Sequence, residues 1–270
     1  MKIFSHRFLQ VGALIIMTAA LALSARAAGF GNGSLKGSYS FLIDRWTADV
    51  STDQFAMVGV MSFDGAGNVT GSYTSMSANV AQSGALGGTY SVSSNGSGSI
   101  DLTTGSTAQF AIALNSTVGG VAHGVQLIET NDTSNEVISG TAVLQSTSPM
   151  TYSAASLKGT FAFLGNTWTD DASQAEDGDI AIFTFDGKGH LQATVSSMYA
   201  GTLYTNTVNG AYTVSPKGTG TLSIISNNNL KFAFALNSVA SGLAGGLQVL
   251  ATNPGNGSGN YVIAGAAVKQ

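Results

Sequence analysis

The chain writes almost the same eight residues twice, as "QFAIALNS" at 109–116 and "KFAFALNS" at 231–238. In an extended strand successive side chains leave opposite faces, so Phe110, Ile112 and Leu114 share one face while Ala111 and Ala113 share the other. Phe232, Phe234 and Leu236 against Ala233 and Ala235 repeat the division. Bulky apolar residues on one side and small apolar ones on the other suit a strand with a packed interior and a covered exterior. The expectation is that one copy of the unit covers the other, barrel on barrel.

The second octapeptide begins 122 residues after the first, and at that offset the chain matches itself almost throughout. "LKGSYSF" (35–41) meets "LKGTFAF" (157–163), Trp46 meets Trp168, and "SFDGAGNV" (62–69) meets "TFDGKGHL" (184–191). "GGTYSVSSNGSGSIDL" (87–102) meets "NGAYTVSPKGTGTLSI" (209–224), and "GVQLIETN" (124–131) meets "GLQVLATN" (246–253). The register slips by three only after "PGNGSGN" (254–260), where "SGTAVLQ" (139–145) answers "AGAAVKQ" (264–270). Units of this length are too long for solenoid repeats and suit small domains. The division read from the sequence is 28–145 and 157–270, joined by a linker at 146–156.

Within a unit, Val, Ile, Thr, Tyr and Phe gather in short runs bounded by Gly, Asn, Asp and Ser, and almost nothing has a helical period. About eight strands are expected in the first unit: near 35–46, 56–63, 68–76, 87–93, 98–103, 109–115, 121–130 and 137–145. "DGAG" (64–67), "DGKG" (186–189), "NGSG" (95–98) and "PKGTG" (216–220) supply glycines for tight hairpins. Antiparallel neighbours without crossovers predict an all-β protein of two tandem up-and-down barrels, a sandwich being the alternative. Closure removes the edges that a sheet so poor in charge would otherwise expose.

Composition bounds the function. The chain is 44% hydrophobic and 9% charged, with a net charge of −4 and no basic stripe, which argues against nucleic acid as a partner. At the amino end, Lys2 and Arg7 precede the apolar run "FLQVGALIIMTAALAL" and Ala25 and Ala27 stand at cleavage spacing, the pattern of a secretory signal peptide over 1–27. Its removal takes three of the ten basic residues and no acidic one, leaving a net charge of −7. The expected location is secreted, periplasmic or at the cell surface, with the membrane involved only through the signal peptide. No cysteine is present, which excludes disulfides and thiol chemistry.

The opening strands "LKGSYSF" and "LKGTFAF" are similar to the Gly-x-aromatic strand of lipocalins and avidins, and "GNVTGSYTSM" followed by "LGGTYSV" looks like the avidin hairpin strands. The likeness covers about the first half of each unit. It implies a lipocalin/avidin-like barrel with a ligand in its interior, and in avidins Tyr73 and Ser75 would face the biotin ureido group. The second unit has Val195 and Ser197 there, and the later pocket tryptophans are missing, so biotin itself does not carry over. No arginine near the last strand corresponds to the one that seals the lipocalin ring. The chain also resembles uncharacterised exported bacterial repeats that combine "LxGxYxF", "FxDGxGN" and "GxYxV" strands.

No catalytic residue is expected. His123 and His190 have Gly245 and Asn68 as counterparts, and Glu129 with Asp44 are matched by Ala251 and Asn166, so no acid–base constellation is duplicated. The acidic stretch "DDASQAEDGD" (170–179) offers hard oxygen ligands without calcium-loop spacing, leaving Asp177 and Asp179 as candidate metal ligands against a plainly solvated loop. The candidate ligand-lining residues are Phe41, Tyr73, Ser75, Tyr90 and Phe110 in the first barrel and Phe163, Tyr212 and Phe232 in the second. No cofactor is expected, and the oligomeric state is left open. The expected role is an exported, non-enzymatic module that binds a small apolar ligand or another surface. A structural envelope or matrix role without a ligand is the alternative, and an outer-membrane barrel is disfavoured by the ending "VKQ" and the lack of aromatic girdles. Hollow barrels favour a ligand, and filled ones favour the structural role.

Overall fold

The computed structural model describes residues 29–46, 54–132, 136–169, 177–199, 201–225, 230–253 and 261–270. The expected signal peptide and most of the acidic stretch lie outside them. The first unit comprises β1 (Lys36–Trp46), β2 (Phe55–Asp64), β3 (Asn68–Ser77), β4 (Val80–Val92), β5 (Ser97–Thr104), β6 (Gln109–Val118), β7 (Val121–Glu129) and β8 (Val137–Leu144). Each strand pairs antiparallel with the next, and β8 returns to β1, with Tyr39 opposite Leu144, to close the ring. The second unit repeats this with β9 (Lys158–Thr169), β10 (Asp177–Asp186), β11 (His190–Tyr199), β12 (Thr202–Val214), β13 (Thr219–Ile225), β14 (Lys231–Asn237), β15 (Gly246–Asn253) and β16 (Tyr261–Lys269). It also closes, through β16 on β9. The all-β expectation of two tandem eight-stranded up-and-down barrels holds, and the sandwich does not.

Alternation sets what each barrel encloses. Tyr39, Phe41, Met61, Ile100 and Phe110 fill the first interior, and Phe161, Phe185, Leu222 and Phe234 the second. Outside, hydroxyls pair across strands, as in Ser38 with Ser62, Thr74 with Ser83, Ser91 with Ser99 and Thr213 with Thr221. Such cross-strand pairs are the sheet's unit of stabilisation.

One end of each barrel has a floor. A 3-10 turn, Asn32–Ser34 in one barrel and Ala154–Ser156 in the other, is held by a tyrosine hydroxyl from inside. Tyr90 donates to the carbonyls of Asn32 and Leu35 at 3.1 and 2.8 Å, and Tyr212 to those of Ala154 and Leu157 at 3.2 and 2.8 Å. Their rings meet Phe63 and Phe185 edge to face at 5.0 and 5.1 Å, the favoured aromatic geometry.

A third apolar cluster lies between the barrels. Ala56, Val58, Val60 and Met76 from the outside of β2 and β3 pack, with Leu42 of β1, against Ala233, Ala235, Leu250, Val262 and Ala264 from the outside of β14, β15 and β16. The expected covered alanine face is therefore real in the second barrel only. Ala113 of the first barrel is exposed and Ala111 half-buried, because the barrels meet through different faces and not through their two alanine faces.

Candidate functional site: the mouth of the second barrel

At the end opposite the floor the two barrels differ. In the first, Ile43 and Met57 are buried, and Tyr73 leans across the opening with its hydroxyl on the Gly105 carbonyl at 3.3 Å. Arg45, at the end of β1, closes the rim: its Nε lies 3.0 Å from Glu136 Oε2 and its guanidinium 5.3 Å from the Phe55 ring centroid. Burial, reinforced by the charge of Asp132, pushes the Glu129 carboxyl up, while Arg45 acts in the opposite direction. Arg45 thus ties the first strand to the residue that precedes β8. The first strand stands beside the last only because the barrel closes.

In the second barrel each of these plugs is replaced by something smaller or of other character. Gly165 stands for Ile43, Thr167 for Arg45, Val195 for Tyr73 and Ala251 for Glu129. What remains among the described residues is a cup of about 570 Å³ lined by Phe163, Phe183, Phe232, Ile224, Leu230 and Ile263 among others. Phe163 bends toward the place of the missing Ile43 side chain, and a Cβ added at Gly165 would come within 2.5 Å of its ring. The polar wall is Asp179, Ser197 and Asn206, where the Ser197 hydroxyl donates to an Asp179 carboxylate oxygen. That volume is in the usual range for a small-molecule site, and a mostly apolar lining with a few placed polar atoms is the usual composition. A carboxylate at the wall has lone pairs that accept hydrogen bonds, here one from Ser197.

The sequence candidates divide three ways. Phe163 and Phe232 line the cup. Phe41, Tyr73, Ser75 and Phe110 hold the corresponding positions of the first barrel, where Phe41 and Phe110 are packed and Tyr73 fills the mouth. Tyr90 and Tyr212 belong to the floors, with their hydroxyls committed to the 3-10 turns. Parity showed that they point inward but not how deep along the barrel they lie. Asp177 and Asp179 begin strand β10, and among the described residues no group of three or more metal-ligating side chains occurs. Sequence reasoning missed Asp179 as a wall of the cavity, along with Ser197. The signal for Asp179 was the register itself, in which it stands at the position of Met57.

Two further hollows lie away from the mouths of the barrels. A groove of about 500 Å³ runs between the linker and the first barrel past Lys36, His123 and Tyr152, and a cleft of about 510 Å³ between the barrels is walled largely by Ser, Thr and Gly. Each touches a barrel interior only at single residues, Leu144 in the groove and Tyr73 and Phe234 in the cleft. No helix among the described residues is long and apolar enough to cross a membrane.

No family model matches the chain, and no curated protein matches it in sequence. Among solved structures it is similar to the crystal structure of a protein of unknown function from the DUF3598 family of Nostoc punctiforme. The identity is 11%, over 87% of this chain and 96% of that one, and the TM-score is 0.27, too distant a likeness to bear on function.

Proposed function

We propose that the protein is an exported, non-enzymatic small-molecule carrier or receptor whose site is the mouth of the second barrel. The observation that carries this reading is the contrast within one chain: the same eight-stranded unit occurs twice, plugged by Tyr73, Ile43 and Arg45 in one copy and hollow in the other. A purely structural pair has no reason to lose packing in one member, since removing buried side chains without filling the space destabilises a core. The ligand class is a compact apolar molecule with one donor for Asp179. Export rests on the amino-terminal pattern, and the absence of cysteine is compatible with any compartment. The outward hydroxyl pairs and inward Phe, Leu and Ile invert the pattern of a lipid-facing barrel, which supports a barrel bathed in water.

The test is titration with N-phenyl-1-naphthylamine, a neutral fluorophore with an apolar body and one N–H. The intact protein is expected to enhance its emission saturably. Val195→Tyr, which restores the plug of the first barrel, is expected to abolish the enhancement, and Tyr73→Val in the first barrel to leave it in place. Equal binding by the Val195→Tyr variant would overturn the assignment.

A further inference from the structure

The junction between the two barrels joins unlike faces, and each barrel carries the other's face as well. One side of the junction is the outside of β1, β2 and β3 of the first barrel; the other is the outside of β14, β15 and β16 of the second. Because the units are copies, the second barrel has its own β1–β3 equivalent in β9, β10 and β11, and the first has its own β14–β16 equivalent in β6, β7 and β8. On both, the large outward apolar residues stay exposed, although Thr141 of β8 touches the junction. Val58 is 2% exposed in the junction while Ile180, its counterpart, is 57% exposed. Leu250 is fully buried, whereas its counterpart Ile128 is 48% exposed.

The free faces keep most of the apolar residues that make the junction, with Gly178 for Ala56 and Ser139 for Ala264. On the second barrel, Leu164, Ile180, Ile182 and Met198 stand at the positions of Leu42, Val58, Val60 and Met76, and all four are exposed. Leu164 lies directly opposite Ile180 across β9 and β10, so they form one patch and not scattered points. On the first barrel, Ala111 and Ala113 recur unchanged from Ala233 and Ala235, with Ile128 and Val137 for Leu250 and Val262. The residues of the polar contacts recur in part, without the Thr141 hydroxyl. Gln248 donates to the carbonyl and hydroxyl of Thr141 at 3.2 and 3.1 Å, and Gln145 donates to the Leu236 carbonyl at 3.0 Å. Gln126 repeats the first glutamine and Gln270 the second, with the carbonyls of Ala266 and Leu114 in the accepting places. Exposed large apolar patches on a sheet face mark interaction surfaces.

We propose that these two faces bind each other between molecules, so that the second barrel of one copy docks on the first barrel of the next as the barrels dock within the chain. The occupant of each face is a second copy of this protein. The contact is head to tail and not self-complementary, so it grows into a ring or an open filament and does not stop at a symmetric dimer. Inside the chain the linker supplies an effective concentration on the order of 1 mM, which the intermolecular contact lacks, so assembly depends on protein concentration.

The experiment is sedimentation equilibrium of the full chain and of two variants at exposed positions, Ile180→Glu and Ile128→Glu. The average mass of the intact protein is expected to rise with concentration up to about 1 mM. Each variant alone is expected to stay monomeric, and an equimolar mixture to form a 1:1 dimer that grows no further, because each retains the face the other has lost. An intact protein that remains monomeric throughout that range overturns the proposal. So does association blocked by Ile180→Glu but untouched by Ile128→Glu, the signature of a face pairing with itself. Should either charged variant fail to fold, the cysteine-free chain permits a second reading with Gln126→Cys and Ala266→Cys. A short bismaleimide is expected to link a mixture of the two, and linking of either alone to the same extent overturns the head-to-tail geometry.

Discussion

Phe110 and Phe232 are one residue of one strand in two copies, and they now have different surroundings. Phe110 is packed on all sides within the first barrel, whereas Phe232 borders the open cup. Truncating Phe110 to Ala should cost about 3–5 kcal/mol, the usual range for a core ring, and truncating Phe232 distinctly less, because part of its surface already lacks neighbours. Denaturant midpoints of the two variants check this, and equal losses would contradict a hollow second barrel. The identity of these rings as inward-facing was legible from alternation alone. The cavity beside one of them was not, since it depends on Asp179, Val195 and Phe232 lining one space, and those residues lie apart in the chain. Tyr90 and Tyr212 show the same limit, because alternation gives the side of a sheet and leaves depth along the barrel undetermined.

At the scale of elements, the hairpins that begin with Asp64 and Asp186 explain the repeated "DGxG". Asp64 accepts from the backbone N–H groups of Ala66, Gly67 and Asn68 at 2.7, 2.9 and 3.0 Å, and from the Asn68 side chain at 2.6 Å. Asp186 does the same for Lys188 and His190 at 2.6 and 3.0 Å. Gly65 and Gly187 sit at φ +81° and +78°, which only glycine adopts without strain. For Asp64 the Asn68 side chain is the largest of the bonds that hold the carboxyl at about 2, and for Asp186 it is the His190 backbone N–H, again to about 2. An unfolded aspartate titrates near 4, so the folded values are depressed, and the stability they contribute is present above about pH 4 and lost as pH falls through about 2. Unfolding midpoints measured across that window should fall, and Asp64→Asn with Asp186→Asn should flatten the fall. Turn residues of this kind were readable in advance. Strand β4 was not read to its full length: it begins at Val80, after a turn in which Ala78 and Asn79 take φ +49° and +59° with no glycine to announce it.

For the whole molecule, the junction decides whether the barrels melt together. Val58 is enclosed between them, and an unpaired carboxylate there is costly to bury, so Val58→Asp should separate the barrels while leaving each closed. Calorimetry is expected to show one transition for the intact chain and two for the variant. A single transition in the variant would mean that the barrels are coupled by the linker and not by the apolar junction.

The sequence by itself determined the duplication, the antiparallel strands, the inward face of each strand and the hairpin chemistry, because these rest on periods of two and on residues a few positions apart. Barrel closure, the arginine that reaches from β1 to the rim of β8, the plugged mouth beside the open one and the unlike faces at the junction were decided only in three dimensions. Each of those joins residues separated by tens of positions. A closed ring sets which of them share a layer, and the one-sided docking of two equal units leaves matching residues such as Val58 and Ile180 in opposite environments.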